Sequence, residues 1–472
     1  MEPEQKKVII IGAGFGGLAL AHGLKKRGVP FVVYERDATK MAGLHGYRVG
    51  ISVDGSHALQ ELLSPDLFTM FDKTSAHEPE YFIIFDERFR RLLKLGVGVD
   101  EATPVQDREH SVSRPILRQV LLSDLEEGSE VRFGKTFERY EEDGDGPITV
   151  HFSDGTTDTG HVLVGADGAN SLVRRQRLPQ AQVVDTNIVS LAAKYELDEE
   201  ARQLMPKDVD RSVTLINGPR GSGGIIHTLY FSNRDDLVET LTEQQRSKYA
   251  SNDSDSLLSR CEPSMKDWAH WAIWASADKF PPDILAKRNA DIAAAALDLA
   301  QELGYCKDFQ RLIEKSIPES AFPIAIRTSE PLKEAWQPSR VTLLGDAVHT
   351  MTPGRGVGAN TALRDALALS QALGERWSQS TPEIISSIGS YESSMRSYAY
   401  PAVLASRRMM DGRSFIHRRP YFLGWISNQL FRIVLRLADV LLPLRTLYAR
   451  ILQRDRGHER ARQRRREKAK SV

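Results

Sequence analysis

The first apolar run, Val8-Ile9-Ile10-Ile11, is β-branched at every position and predicts a buried strand. Leu18, Ala19, Leu20, Ala21 and Leu24 then read as a helix packed on a sheet, stopped by Gly28 and Pro30. Phe31-Val32-Val33-Tyr34 predicts a second strand. The same signature returns at Val162-Leu163-Val164 and at Val341, Leu343 and Leu344. Between about residues 185 and 335 apolar positions alternate with polar ones, most clearly over Ile188 to Tyr195, Ser212 to Ile216 and Ile225 to Phe231. That pattern predicts half-buried strands. Gly218 to Gly224 lies between two of them and reads as a hairpin turn rather than a phosphate loop. Trp268, Trp271 and Trp274 have helical spacing and read as core. Leu430, Ile433, Val434, Leu437 and Leu441 form an apolar helix stripe with Arg432, Arg436 and Asp439 opposite.

The residues between these elements carry the chemistry. Gly12-Ala13-Gly14-Phe15-Gly16-Gly17 is a G-x-G-x-x-G motif in a strand–turn–helix–strand setting. Gly12 permits the tight turn, Gly14 lets the backbone approach a pyrophosphate, and Gly17 lets helix and strand close together. The helix N-terminus then offers free N–H groups to phosphates. Glu35, eighteen residues after Gly17, can accept hydrogen bonds from a ribose diol. This motif alone does not separate FAD from NAD.

Two later segments follow strands in the same way. The first is Gly165-Ala166-Asp167-Gly168, with Arg174 just beyond; an Asx-type turn is its plainer reading. The second is Gly345-Asp346-Ala347-Val348-His349, followed by Met351, Pro353, Gly354, Gly356, Gly358, Asn360 and Asp365. Asp346 can bind the hydroxyls of a sugar-alcohol chain, and the glycines free the backbone to lie against a flat ring. A helix beginning near Ala359, with Ala362, Ala366, Leu369 and Leu373 on one face, aims its positive end at that ring.

In order and spacing, the three motifs resemble those of the class A flavoprotein monooxygenases, the p-hydroxybenzoate hydroxylase-like family, over roughly the first 375 residues. The resemblance implies an α/β fold: a Rossmann-like FAD-binding domain, an inserted mainly-β substrate domain and a helical C-terminal region. The FAD-binding domain is expected from residues 1–75, 111–184 and 336–380, and the substrate domain from 76–110 and 185–335. Residues 381–472 are expected to form the helical region and its basic tail. The implied activity uses FAD, NAD(P)H as co-substrate and O2 to hydroxylate or epoxidise a small organic molecule, such as an aromatic, polyketide or prenylated secondary metabolite.

The FAD-binding residues implied are Gly12, Gly14, Gly17, Glu35, Gly50, Asp167, Asp346, Pro353, Gly356 and Gly358. An arginine ahead of a leucine-rich helix completes the set. Arg114 and Arg118 both fit, being four apart on one helix face. Arg48, Lys194 and Tyr230 are the catalytic candidates, with His227 and Arg327 as further substrate contacts; a buried structural role is the plainer reading of Lys194, Tyr230, His227 and Arg327. Arg48 stands where the family often has a small residue, so a local salt bridge is its alternative role. No metal is called for. Two other readings stay open: a flavin reductase or oxidase on the same scaffold, and a non-catalytic carrier like the GDP-dissociation inhibitors. Glu35 and Asp346, both present, argue against the carrier. Trp271-Ala272-Ile273-Trp274 lacks the spacing and the Ile-Pro of the halogenase W-x-W-x-I-P motif.

Composition narrows the partners. With 472 residues the chain is long enough for two or three sub-domains. Lys plus Arg equals Asp plus Glu at 63 each, which gives no global attraction to nucleic acid. Two cysteines, Cys261 and Cys306, supply neither a disulfide framework nor a metal site and fit a reducing, cytoplasmic setting. The N-terminus lacks signal-peptide order, and no uncharged apolar run is long enough for an ordinary membrane span. The C-terminal stripe and the arginine-rich tail from Arg454 to Lys470 are expected as a helix packed on the body plus a solvated tail. Peripheral docking on an anionic membrane is the alternative.

Overall fold

The computed structural model describes residues 6–42, 46–96, 103–144, 146–232, 234–251, 253–412 and 422–441, and six single positions beyond (447, 457, 460, 461, 463 and 464). Strand Val8–Ile11 is the centre of a parallel five-stranded sheet. Phe31–Tyr34 and then Val131–Arg132 lie on one side of it; Val162–Gly165 and then Val341–Leu343 lie on the other. All four residues of the central strand are buried, as a continuous apolar run in a sheet covered on both faces requires. Its register sets Ile11 beside both Tyr34 and Gly165. Gly12, Glu35 and Ala166 therefore emerge along one edge, where the order of the sheet reverses and ligands of such folds collect.

Helix Phe15–Lys26 packs on helix Gly358–Arg376 through small residues. A Cβ on Gly16 would lie 2.5 Å from Leu344 Cδ1, and one on Gly23 would lie 2.6 Å from Ser370 Cβ. The 29-residue helix Thr381–Met409 covers that pair, and Ile384, Ile388, Met395 and Ala399 join the same core. The start of the expected C-terminal region is thus built into the nucleotide-side unit.

A seven-stranded sheet forms the other half. Its order is Phe322–Ser329, Val183–Glu196, Trp268–Ser276, Gly223–Leu229, Ser212–Asn217, Tyr81–Asp86 and Arg91–Gly96. One face buries Leu191, Tyr195, Ile226 and Trp271 under helices Ala290–Glu302 and Lys307–Glu314. The other face looks toward the nucleotide-side unit. Residues 218–222 close the hairpin between Ser212–Asn217 and Gly223–Leu229. Trp268–Ser276 corrects the helical reading of its tryptophans: it is a strand, paired on both sides. A three-residue spacing in a strand sends Trp271 to one face and Trp268 and Trp274 to the other. A ribbon of Arg48–Ile51 and His110–Ser113 lies between the two halves.

The C-terminal helix Phe422–Val440 lies on the edge strand Arg91–Gly96 and its neighbour Tyr81–Asp86. Its orientation differs from what a packed amphipathic helix predicts. Leu435 and Ala438 join Ile84, Leu93 and Leu95 in one apolar cluster, but the inward contacts beside them are made by polar side chains. Arg432 donates to Asn217 Oδ1 at 2.8 Å and pairs with Glu87, and Asp439 accepts the Lys94 N–H at 2.8 Å. An edge strand has outward N–H groups that need acceptors, and Asp439 supplies one. Leu430, Ile433, Val434, Leu437 and Leu441 are left exposed. Arg460 and Arg464 pair with Asp54; most of Arg454 to Lys470 lies outside the described residues. Among the described residues no helix is long and apolar enough to cross a membrane, and no cluster of His, Cys, Asp and Glu is arranged to hold a metal.

Candidate active site

The first loop is shaped by where side chains cannot go. Gly12 has φ +109°, and a Cβ there would lie 2.4 Å from the Ala166 carbonyl oxygen; one on Gly17 would lie 2.1 Å from the Gly12 oxygen. Gly14 is different: a Cβ on it meets nothing within 4 Å, so the loop opens onto free space. Glu35 guards that opening. Its carboxylate accepts the Ala13 N–H at 2.7 Å and the Asp37 N–H at 3.0 Å. Arg118, on helix Arg114–Leu122, donates to the Ala42 oxygen at 2.6 Å and pairs with Asp37 at 3.0 Å.

Asp167 half fulfils the turn reading. Its Oδ2 accepts the Leu172 N–H at 2.8 Å at the start of helix Leu172–Arg177. Its Oδ1 is buried without a partner among the described residues, and burial pushes the carboxyl pKa up. Arg174 joins the second motif to the third, donating to the oxygens of Ala169 and Ala347 at 3.0 and 2.9 Å.

Asp365 holds the third motif. Fully buried, it accepts the Gly345 N–H at 2.9 Å and the Tyr398 hydroxyl at 2.6 Å, and it pairs with His349 Nε2 at 2.5 Å. Burial is the largest single influence on His349 and acts to lower its pKa, but the charge and hydrogen bond of Asp365, together with the Asp346 charge, outweigh it and the pKa is raised. Asn360 donates to the Gly50 oxygen at 2.9 Å and accepts the Ser52 N–H at 2.7 Å, clamping the ribbon to the start of helix Gly358–Arg376. Past the single turn Pro353–Arg355, a Cβ on Gly356 would meet nothing within 4 Å, and one on Gly358 only Met351 at 3.5 Å. The Asp346 side chain opens into this space from a recess: the surrounding protein desolvates it and pushes its pKa up, against the charges of His349 and Arg114. The Tyr47 ring stands beside it and stacks on Phe322 of the seven-stranded sheet, centroids 6.1 Å apart.

Across the cleft, strand register sets Lys194, His270, His227 and Val213 in one row over four strands. The His227 and His270 rings meet edge to face at 5.0 Å. Both ring nitrogens of His227, Nδ1 of His270 and Nε1 of Trp268 are buried without a partner among the described residues. Burial drives the His270 pKa down to about 3, helped by the nearby charges of Arg48 and Lys194. Burial, then His270 and Arg48, put His227 well below its ordinary value. Both imidazoles are neutral at pH 7. The Lys194 ammonium sits 4.1 Å from the Trp268 ring centroid, and burial lowers its pKa. Arg48 Nε donates to Ser111 Oγ at 2.6 Å. Met410, packed on Ile188, Ile326, Trp274 and Ile324, closes one wall.

Arg48, Lys194 and His227 thus come to one cleft with Asp346 and Arg114. Tyr230 does not: it packs against the helix-covered face, and its hydroxyl donates to Asp210. Arg327 is exposed and reaches Asn170 at 2.8 Å instead. Sequence reasoning missed Trp268 and His270 as cleft residues, and Met410 entirely. The two-residue step from Trp268 to His270 was the available signal, readable only once the segment is known to be a strand. Met410 carries no such signal.

Residues 310–403 match a family model described as an FAD binding domain, and residues 10–73 match an NAD(P)-binding Rossmann-like domain. Strands Phe31–Tyr34 and Val341–Leu343 from these two segments belong to one parallel sheet, so both matches describe parts of one nucleotide-binding unit. An FAD-containing monooxygenase of Photorhabdus luminescens subsp. laumondii TTO1 superposes with a TM-score of 0.69 at 31% identity, over 86% of this chain and 98% of that one. An FAD-dependent monooxygenase of Trichoderma harzianum is 28% identical over 88% of this chain and 95% of its own length. A dual O-methyltransferase/FAD-dependent monooxygenase of Cercospora beticola is 28% identical over 88% of this chain. The chain spans about half of that relative's length, 47%.

Proposed function

Since this chain belongs to the class A FAD-dependent monooxygenases, we propose that it uses NAD(P)H and O2 to oxygenate a flat, oxygen-bearing aromatic molecule held against the seven-stranded sheet. One oxygen atom enters the substrate, the other leaves as water, and NAD(P)H is oxidised. Bound FAD supplies the redox chemistry, accepting hydride and activating O2.

FAD fits the residues present. Gly14, Gly356 and Gly358 face open space that side chains would otherwise fill, and Asp167 keeps one buried oxygen unpaired. Glu35 would take the ribose, residues 12–17 the pyrophosphate, Asp346 the ribityl hydroxyls, and Gly356 and Gly358 the ring. Arg114 is the arginine we assign to the cofactor, because Arg118 is committed to Ala42 and Asp37 while Arg114 shares its field with Asp346 and Tyr47.

The chain's own work is positioning and exclusion. The depressed basicity of His227 and His270 makes them hydrogen-bond partners rather than proton stores, suited to holding a substrate hydroxyl. Arg48 favours negative charge on that oxygen. Met410 and its apolar neighbours keep water out. A single observation carries the reading: buried, unpaired nitrogens of His227, His270 and Trp268 lie on the sheet face that meets the nucleotide cradle through Phe322 and Tyr47.

The test is mass spectrometry of products formed under 18O2 with FAD, NADH or NADPH, and a panel of phenolic, polyketide and prenylated compounds. One 18O atom per product molecule is expected. NAD(P)H oxidation that yields only H2O2, or a reduced product, would replace this reading with an oxidase or a reductase.

A further inference from the structure

The C-terminal helix presents its apolar side to solvent. Phe422, Trp425, Leu430, Val434, Leu437 and Val440 are 49–80% exposed, whereas a surface helix ordinarily turns such a stripe to the core. Its orientation is fixed by polar anchors. Asn428 donates to the Gly218 oxygen at 3.1 Å, Arg432 holds Asn217 and Glu87, and Asp439 holds the Lys94 N–H and Arg91. These anchors occupy the inward face, so the outward face is apolar by construction. The helix does not qualify as a membrane span.

Charge selects the occupant. The last 60 residues hold sixteen of the chain's 63 Lys and Arg but four of its 63 Asp and Glu. Arg418 and Arg419 stand just ahead of the helix, and nine Lys and Arg fall between positions 454 and 470, of which Arg460 and Arg464 are paired with Asp54 and the other seven carry the charge on which the attraction rests. A twofold contact between two copies through this face would bring two such basic segments together, which like-charge repulsion opposes. An anionic lipid surface attracts both segments and accepts the apolar stripe, with Trp425 and Phe422 suited to headgroup depth. We propose that the outward face of helix Phe422–Val440 docks on an anionic bilayer, with the helix lying in the plane of the interface and the basic residues flanking it on the headgroups.

The test is sedimentation of the full chain, with FAD bound, on phosphatidylcholine vesicles with and without about one-third phosphatidylserine. The chain is expected to pellet with the anionic vesicles, to stay in solution with phosphatidylcholine alone, and to be released as salt is raised. Leu430→Asp/Val434→Asp/Leu437→Asp is expected to lower vesicle affinity roughly tenfold or more while keeping its flavin absorbance. A wild-type chain that stays in solution with both vesicles overturns the proposal. So does pelleting indifferent to phosphatidylserine, or a triple variant that binds as the wild type does. Light scattering that shows a dimer broken by the triple variant would make this face a self-interface instead.

Discussion

Asp365 and His270 are both buried in walls of the same cleft, yet their polar atoms meet opposite fates. Asp365 takes a backbone N–H, a hydroxyl and an imidazole from within the chain, while His270 keeps Nδ1 without a partner among the described residues. The contrast extends to their surroundings. On the nucleotide side Glu35, Arg118 and Asn360 are satisfied largely by backbone groups. On the sheet side His227 and Trp268 are left open like His270. An unpaired buried polar group costs about 1–3 kcal/mol. The nucleotide wall also keeps single unpaired atoms, Asp167 Oδ1, Arg174 Nε and His349 Nδ1, but each of those side chains has another partner within the chain, whereas on the sheet wall neither ring nitrogen of His227 has one among the described residues, and a ligand would stabilise that wall most.

Three substitutions press on that difference. The largest effect is expected from Asp365→Ala, which strips His349 of its counter-charge and Gly345 and Tyr398 of their acceptor. Breaking such a buried pair costs about 3–5 kcal/mol. Urea unfolding should show that loss together with release of FAD; a change under about 1 kcal/mol would place the cradle's support elsewhere.

His270→Phe should act in the other direction on stability. The folded His270 pKa is depressed to about 3, so the unfolded chain takes up a proton near pH 6.5 that the folded chain refuses. The wild type then loses stability as pH falls below that value, by about 2 kcal/mol from this residue between pH 7 and pH 5. The variant should flatten that acid limb, keep FAD, and lose about tenfold in kcat/KM. An unchanged acid limb would mean that His270 already has a partner in the folded chain. His349, with its raised pKa, works oppositely: its contribution is full below about pH 6.5 and fades as pH climbs through the folded value. It would steepen the alkaline side only.

Gly14→Ala is the mildest. Its new methyl meets open space in the protein, so unfolding free energy should stay within about 0.5 kcal/mol while FAD affinity drops about tenfold in a fluorescence titration. If affinity holds, the pyrophosphate does not approach there.

What could be read in the sequence follows the same division. Strands Val8–Ile11 and Phe31–Tyr34 begin and end where their apolar runs do, because strands buried on both faces need no partner to declare themselves. The Gly12, Gly14 and Gly17 spacing is likewise local. The sheet wall is not local: His227 and His270 are neighbours only through register, and Tyr230 is lost to the opposite face by alternation. Arg114 and Arg118 share a helix, yet one lies near Asp346 and the other holds Asp37. Periodicity showed that helix Phe422–Val440 has two faces. Which one meets the body was decided by an edge-strand N–H at Lys94 that no single-segment pattern contains.

The pairing of helix Phe15–Lys26 with helix Gly358–Arg376 also sets a timetable for synthesis. Until a ribosome has delivered the strand Val341–Leu343, strand Val162–Gly165 is a bare hydrophobic border, and Gly16 and Gly23 have no helix to receive. The nucleotide-side half is begun at strand Val8–Ile11 and closed only about 330 residues later, at strand Val341–Leu343. Nascent chains cut short before residue 376 should therefore be clients of chaperones rather than folded fragments.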